Sequence, residues 1–287
     1  MKHYLVPYDG SDLSEAALKY AIQFAGSVPG VIDIVYIADE RALANPVFDL
    51  TILALQGLGT VGDFIPREKA RLELRAKLVA HGEELLEDLV KIPELSDQEK
   101  VKFSTRVEVD NPPKYLSDIS ENYDVLFLGL WGEMHKFKAG LWGGTSEAVI
   151  RRGVSPIFLA TREFSPFSRI IIGFDNRPRS RQALAWAGMI GESMKIPVTL
   201  IVAGSDEKWV KGVVAEAHEI NNSYDTSFTI RTIEKRAARG ILDESKENPG
   251  SLICVGAFGD QPIRELFLGS VAEEVLRHSE SPVMLFK

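Results

Sequence analysis

Two pairs of small residues near the end of the chain have a spacing that suits an anionic ligand. Gly256 and Gly259 follow an apolar run, and nine residues separate them from Gly269 and Ser270, where a segment of helical period begins. Glycines let backbone N–H groups approach an anion, and a helix N-terminus adds unpaired donors and a partial positive charge. This pattern predicts a phosphate-binding loop. Ser270 and Glu273 also have the spacing of a helix capping box, so a purely structural role stays open at this point.

The elements that would position this loop occur twice in the chain. Asp9 and Asp175, each shortly after an apolar run, lie 166 residues apart. Further along, the paired glycines that begin at Gly129 and Gly256 lie 127 residues apart, in the same order. These matches indicate two copies of one unit. The smaller second offset places about 39 additional residues in the first copy, between its first helix and its fourth strand.

Each copy alternates short runs of Val, Ile and Leu with longer segments of helical period, which is typical of parallel strands buried on both faces. This predicts the α/β class, with two Rossmann-like, doubly wound domains that each contain a five-stranded, mainly parallel sheet. We define the first repeat as residues 1–163, with an insertion at about 40–66, and the second repeat as residues 168–287. The strands predicted for the second repeat are 169–175, 198–203, 227–233, 251–256 and 282–286. In such sheets ligands bind outside the carboxyl ends of the strands, near the point where the strand order reverses.

The composition excludes several classes of protein. With 287 residues, of which 45% are hydrophobic and 26% charged, the chain is neither disordered nor fibrous. With a net charge of −8, the chain lacks the basic surface that nonspecific nucleic-acid binding needs. The single cysteine, Cys254, excludes an internal disulfide and a cysteine-based zinc cluster, and no charge-free apolar stretch is long enough to span a bilayer. We therefore expect a cytoplasmic protein whose partners include neither nucleic acid nor a membrane.

The glycine pattern of the second repeat resembles the ATP-binding signature of the universal stress proteins, Gly-x2-Gly-x9-Gly-Ser/Thr. Gly256, Gly259, Gly269 and Ser270 match it without a gap, and the resemblance extends over nearly the whole chain in tandem form. It implies a Rossmann-like fold of the adenine nucleotide alpha hydrolase type that holds ATP or a related nucleotide, ADP or AMP. Carried over by match, the nucleotide-binding residues are Gly173, Phe174, Asp175, Ala203, Val255, Gly256, Gly259, Arg264, Gly269, Ser270 and Val271.

The first repeat departs from this signature. Gly129 and Gly132 are present, but eleven residues rather than nine separate them from Gly144 and Thr145. A bulge in the loop can absorb two extra residues, or they can move the start of the helix away from the phosphates. Nucleotide binding by the first repeat therefore stays open. The matched candidates there are Pro7, Asp9, Ile37, Gly129, Gly132, Gly144 and Thr145.

Acidic positions near the predicted ligand allow more than one interpretation. Asp260, directly after Gly259, would place a carboxylate near the phosphates, which is unfavourable unless a divalent cation bridges them. A bound magnesium or manganese ion is therefore one hypothesis, and an Asp260 that turns outward into water is the other. Asp9 and Asp175 can bind a ligand, or each can simply cap the helix that follows it. The histidines show no metal-ligand spacing, so no site with protein metal ligands is predicted.

The tandem arrangement also has a structural implication. Units of the universal stress protein family pair through their final strands, so the resemblance implies an intramolecular pseudo-dimer. We expect the strands that end near Ala160 and Phe286 to lie side by side, which would cover two sheet edges. The apolar positions Phe48, Ile52 and Leu55 of the insertion would cover the other repeat or a second chain, so a homodimer is a further option.

Three functions are compatible with these features. The first is an ATP-binding regulatory module of the stress response, which acts through nucleotide-dependent contacts with an unknown protein partner. The second is a weak ATPase or phosphotransfer enzyme, and the third is an interaction module without a ligand. The first is favoured because no general base or nucleophile stands out near the glycine loop and no Gly-Lys-Ser/Thr motif occurs. No catalytic residue is predicted.

Overall fold

The computed structural model describes residues 1–44, 67–89, 101–130, 144–154, 156–234, 236–257 and 268–287. The strands are β1 (Lys2–Pro7), β2 (Gly30–Asp39), β3 (Lys102–Asp110), β4 (Val125–Gly129), β5 (Ile157–Ala160), β6 (Arg169–Gly173), β7 (Val198–Ala203), β8 (Phe228–Ile233), β9 (Ser251–Gly256) and β10 (Val283–Phe286). The helices are α1 (Asp12–Ser27), α2 (Glu40–Ala44), α3 (Arg67–Leu89), α4 (Pro112–Ile119), α5 (Gly144–Arg152), α6 (Pro178–Met194), α7 (Glu207–Asn221), α8 (Ala237–Glu247) and α9 (Ser270–His278). None of these helices combines the length and the apolar character that a bilayer span requires.

The described strands form one ten-stranded sheet in the order β3-β2-β1-β4-β5-β10-β9-β6-β7-β8. Neighbouring strands within each repeat are parallel, and the two halves meet where β5 and β10 pair antiparallel, with Phe158 opposite Met284. The expected pairing of the strands that end near Ala160 and Phe286 is therefore confirmed. The two predicted five-stranded sheets are the halves of a single sheet. Each final strand has a neighbour on both sides, so two sheet edges are covered.

Helices cover both faces of the sheet, and this explains why its central strands are apolar throughout. Ile170, Ile171 and Ile172 of β6 are all buried, as parallel strands between two helix layers require. One layer contains α1, α3, α6 and α7, and the other contains α4, α5, α8 and α9. Both cores include residues of both repeats, and the rings of Phe24 and Trp186 lie 6.2 Å apart across the boundary. The predicted doubly wound α/β fold is thereby confirmed.

The strand order reverses once in each repeat. β1 lies between β2 and β4, and β6 lies between β7 and β9. The helices that follow the two strands beside each reversal pack on opposite faces of the sheet, as α6 after β6 and α9 after β9 do. A crevice therefore opens between β6 and β9 in the second repeat and between β1 and β4 in the first, which is where such sheets bind ligands.

Candidate functional site

A cavity lies at the carboxyl ends of β6 and β9. It is lined by every predicted second-repeat contact that falls among the described residues: Gly173, Phe174, Asp175, Ala203, Val255, Gly256, Gly269, Ser270 and Val271. Gly259, Asp260 and Arg264 lie outside the described residues. The cavity volume is ≈ 170 Å³, whereas pockets that enclose a whole small ligand measure roughly 300–1,000 Å³. These walls therefore surround only part of a nucleotide-sized molecule.

Four further residues line this cavity that were not predicted from the sequence. They are Arg177, Arg179, Ser180 and Ala237. Ser180 follows Asp175 at the same distance at which Ser14 follows Asp9, so the repeat itself marks this serine. An inspection of the side chains near the start of α6 would have identified the two arginines. The structure thus adds two cationic groups to a site that was predicted mainly from glycines.

The two sides of the cavity differ in chemistry. β7 lies on one side of β6 and β9 on the other, so the cavity spans the ends of three strands. Ala203, which ends β7, and Ala237, which begins α8, give the first side apolar walls. Gly256, Gly269 and Arg179 form the second side. An apolar group fits beside β7, and an anionic group fits beside β9.

Two helices begin at this cavity from opposite faces of the sheet. α6 begins at Pro178 and α9 at Ser270, so unpaired N–H groups and the positive ends of two helix dipoles are close to the same cavity. Gly269 is the N-cap residue of α9, where no side-chain capping bond forms among the described residues, and Glu273 is paired with Arg277 at 2.8 Å. The alternative of a capping box between Ser270 and Glu273 is therefore wrong. Among the described residues, no side chain caps the first N–H groups of α9.

Packing requires a glycine at Gly256 but not at Gly173, where the atom that an added Cβ would meet is the movable end of a side chain. A Cβ on Gly173 would lie 2.7 Å from Cδ1 of Ile241, and a Cβ on Gly256 would lie 2.9 Å from Cβ of Arg179. Both distances are shorter than real Cβ contacts. Gly256 therefore allows α6 to approach the end of β9, a structural role that it has whether or not a ligand is bound.

Asp175 organises the turn between β6 and α6. Its Oδ1 accepts hydrogen bonds from the N–H of Arg177 at 3.1 Å and from the hydroxyl of Ser180 at 2.7 Å. Asp9 has the same role in the first repeat, where its Oδ1 accepts from the N–H of Ser11 at 3.1 Å and from the Ser11 hydroxyl at 2.6 Å. The N-cap residues are Ser11 and Arg177, so the alternative that Asp9 and Asp175 cap these helices is wrong, and each instead holds the turn that precedes its helix. Asp175 also lines the cavity.

The first-repeat candidates lie at the corresponding places of the first half. They occupy the end of β1 and the turn after it, the interior of β2, the end of β4 and the start of α5: Pro7, Asp9, Ile37, Gly129, Gly144 and Thr145. Gly132 lies outside the described residues. The backbone hydrogen bonds that follow β1 and β6 are equivalent, and they make Ile37 the counterpart of Ala203.

The surroundings of these candidates differ from those in the second repeat. Ser11 caps α1 through its hydroxyl, and acidic side chains lie in the first turn of this helix. Leu13 packs against Gly129 in the first repeat, as Arg179 packs against Gly256 in the second. The first repeat therefore presents an apolar side chain and acidic neighbours where the second repeat presents arginines.

A second difference lies at the start of α5. The hydroxyl of Ser146 donates to the carbonyl oxygen of Gly129 at 2.9 Å, which ties this helix to the end of β4. The corresponding residue of the second repeat is Val271, which lines the cavity. In the first repeat, the side chain of Ser146 thus connects the start of the helix to the end of the strand.

A larger cleft of ≈ 850 Å³ lies at the junction of the two repeats. Tyr20, Ser165, Lys246 and His278 are among its lining residues, and it opens beside the amino ends of β9 and β10. No predicted ligand contact lines this cleft. It lies at the edge of the second repeat opposite the two helix N-termini, so the smaller cavity is the candidate site despite its size.

The fold and the cavity together define a class of protein. The chain is a tandem, doubly wound α/β protein with a ligand crevice at the reversal of its strand order. The family follows from comparison with known proteins. The model of the universal stress protein family matches residues 1–160 and 202–287, and the chain belongs to this family.

The chain is similar to several known universal stress proteins. One from Synechocystis sp. is 24% identical over 296 residues, which cover 100% of this chain and 100% of that protein. The crystal structure of one from Archaeoglobus fulgidus DSM 4304 has a TM-score of 0.72 at 20% identity and covers 99% of this chain and 98% of its own, a likeness of fold. A universal stress protein solved in complex with cAMP covers 42% of this chain and 97% of its own at 22% identity. Its TM-score of 0.38 is too low for that likeness to bear on the ligand of this chain.

Proposed function

We propose that the second repeat binds ATP, or the related nucleotides ADP and AMP, in the cavity between β6 and β9. The protein then acts as a regulatory module of the stress response whose contacts with a protein partner depend on the nucleotide. The observation that carries this proposal is the convergence of two helix N-termini, two glycines and two arginines on one cavity at the strand-order reversal. The proposed contacts are the predicted residues that line the cavity, together with Gly259 and Arg264 of the glycine loop.

The two sides of the cavity suggest how the nucleotide lies. The adenine base needs a flat apolar surface, and Ala203 and Ala237 provide one beside β7. The phosphates need hydrogen-bond donors and positive charge, which Gly269, Ser270 and the arginines provide beside β9. A magnesium or manganese ion is part of the proposal, because Asp260 directly follows Gly259 in the sequence and a carboxylate near the phosphates would otherwise repel them.

The regulatory role is favoured over phosphotransfer by the chemistry of the cavity walls. Asp175 is the acidic residue among the described lining residues. Its Oδ1 already accepts hydrogen bonds from Arg177 and Ser180, and its Oδ2 lies 3.7 Å from the Arg177 guanidinium. A general base must reach the proton of the reacting group. Asp175 is instead engaged in holding the turn before α6.

The proposed function is tested by asking what the purified protein carries. Mass spectrometry of the small molecules released from freshly purified protein is expected to detect an adenine nucleotide, and calorimetry is expected to detect ATP binding at one site per chain. Prolonged incubation with labelled ATP is expected to give no turnover. Turnover in proportion to protein would support the weak ATPase instead. The absence of both a released nucleotide and ATP binding would leave the interaction module without a ligand.

A further inference from the structure

Arginines surround the start of α6, an unfavourable place for positive charge. Arg177 is the N-cap residue and Arg179 lies in the first turn, which contains no acidic residue, and no side-chain capping bond forms there among the described residues. A helix N-terminus is itself partly positive, so cations there are unfavourable, and Asp175, whose Oδ2 lies 3.7 Å from the Arg177 guanidinium, is near one of the two. The first repeat has the locally favourable pattern, a serine cap followed by acidic residues. A bound anion would resolve this conflict between local sequence and local structure.

The three arginines near the start of α6 have different surroundings. Arg177 and Arg179 line the cavity. Arg181, two residues further along α6, is not a lining residue and donates to Asn176 at 2.7 Å and to Glu216 at 2.8 Å. Arg181 is thus engaged on the protein surface, whereas Arg177, which also lies near Asp175, and Arg179 line the cavity, where a ligand can reach them.

Arg179 is also connected to the first repeat through Lys287. Its guanidinium donates to the backbone oxygen of Lys287. The Lys287 ammonium in turn donates to the carbonyl oxygen of Ile150 at 2.6 Å and to that of Gly153, at the end of α5. Burial, and after it the positive charge of Arg179, lower the pKa of Lys287 to about 8. Two cationic groups therefore lie close together at this corner.

We propose that Arg179, with Arg177 beside it, binds the phosphate chain of the nucleotide and makes the second repeat selective for nucleotides with several phosphates. This inference rests on the proposed function and names the part of the ligand that these residues recognise. The stem of Arg179 lies against Gly256, on the side of the cavity where α9 presents its first N–H groups. A guanidinium offers paired donors that match phosphate oxygens, and such charge-assisted bonds are stronger than neutral ones.

The test compares two leucine variants of the same helix. Arg179→Leu introduces the residue found at the corresponding place of the first repeat, and Arg181→Leu removes the same charge outside the cavity. Calorimetry on the full chain measures ATP and adenosine binding. We expect Arg179→Leu to weaken ATP binding roughly 10- to 100-fold while adenosine binding changes less than about twofold. Arg181→Leu is expected to change both by less than about twofold, because exposed ion pairs contribute little.

The outcomes separate this inference from the proposed function. Thermal unfolding checks that the variants fold, and Arg179→Gln replaces the leucine variant if that one does not. Equal weakening of ATP and adenosine binding by Arg179→Leu, or an equal loss of ATP binding in Arg181→Leu, would overturn the inference and leave the proposed function standing. Wild-type protein that binds neither ATP nor adenosine would overturn the proposed function and this inference with it.

Discussion

The two repeats share a fold and differ in the helix turn that follows the first strand of each. In both, a strand-end aspartate holds the turn, and a glycine on the neighbouring strand admits the helix. In the first repeat that helix begins with the Ser11 cap and acidic residues, and Leu13 lies against the glycine. In the second repeat Arg177 and Arg179 occupy the corresponding positions. The shared features maintain the fold, so the difference between the two described helix starts concerns charge: arginines occupy the positions in the second repeat that a capping serine and a leucine occupy in the first.

The largest effect is expected from filling the cavity beside β7. Ala203→Trp would place an indole in a cavity of ≈ 170 Å³, so ATP and adenosine should both lose affinity by more than about 100-fold, roughly 3 kcal/mol. Calorimetry and native mass spectrometry measure the affinity and the number of nucleotides bound per chain. The matched control is Thr232→Trp, on the neighbouring strand β8 at an exposed position outside the cavity.

This first prediction can reverse the comparison between the repeats. A nucleotide that stays bound at full affinity to the Ala203→Trp variant would be held elsewhere, and the candidates Gly144 and Thr145 of the first repeat would then be the next place to examine. If the variant loses one of two nucleotides bound per chain, both repeats bind a nucleotide and nucleotide binding does not require the arginines.

The central strands of the second repeat could be predicted because each is mainly an apolar run between helical segments, whereas β8, at the sheet edge, mixes apolar and polar residues. The predicted ranges 198–203 and 251–256 coincide with β7 and β9. The predicted range 169–175 extends past β6, which ends at Gly173. Phe174 is apolar and buried, but it belongs to the turn that leads to α6. Hydrophobic pattern alone does not distinguish a buried strand residue from a buried turn residue.

The candidate site could be predicted in part, for a physical reason. Contacts made by backbone groups require glycines at particular spacings, and Gly256 and Gly269 carry that signal in the sequence. A side-chain contact leaves no such trace, since an arginine in the first turn of a helix is usually solvated. The sequence signal for these arginine contacts lies in the alignment of the two repeats, which sets Arg179 opposite Leu13 and Arg177 opposite Ser11. The position of the cavity places this exchange at the candidate site.

An intermediate effect is expected from giving α6 the cap that α1 already has. In Arg177→Ser the new hydroxyl can accept from an N–H of the first turn, as Ser11 accepts from Ser14 at 3.2 Å, and a cation leaves the positive end of the helix. Without nucleotide, the free energy of unfolding should rise by about 0.5–1 kcal/mol. ATP affinity should fall about three- to tenfold because a phosphate contact is lost.

Denaturant unfolding with and without ATP measures both changes for the Arg177→Ser variant. A stabilised protein with weaker ATP binding would show that the second repeat exchanges helix stability for ligand binding at this turn. A destabilised protein with unchanged ATP affinity would instead assign Arg177 a structural role, and the comparison would then depend on Arg179 alone.

The smallest effect concerns Lys287, through which the first repeat contacts Arg179. Its pKa is lowered to about 8 in the folded protein, whereas that of an unfolded lysine is about 10.4. The unfolded chain therefore binds more protons between these pH values, so this lysine makes the free energy of unfolding rise with pH across that window. The difference in unfolding free energy between wild type and Lys287→Met, measured from pH 7 to 10.5, should thus shift in favour of the wild type as pH increases. Because the charge of Arg179 is one of the two causes, Arg179→Leu should move the start of this window to higher pH. A difference that stays constant with pH would show that the two carbonyl contacts stabilise the ammonium as well as water does, and the excess positive charge assigned to this corner of the second repeat would be absent.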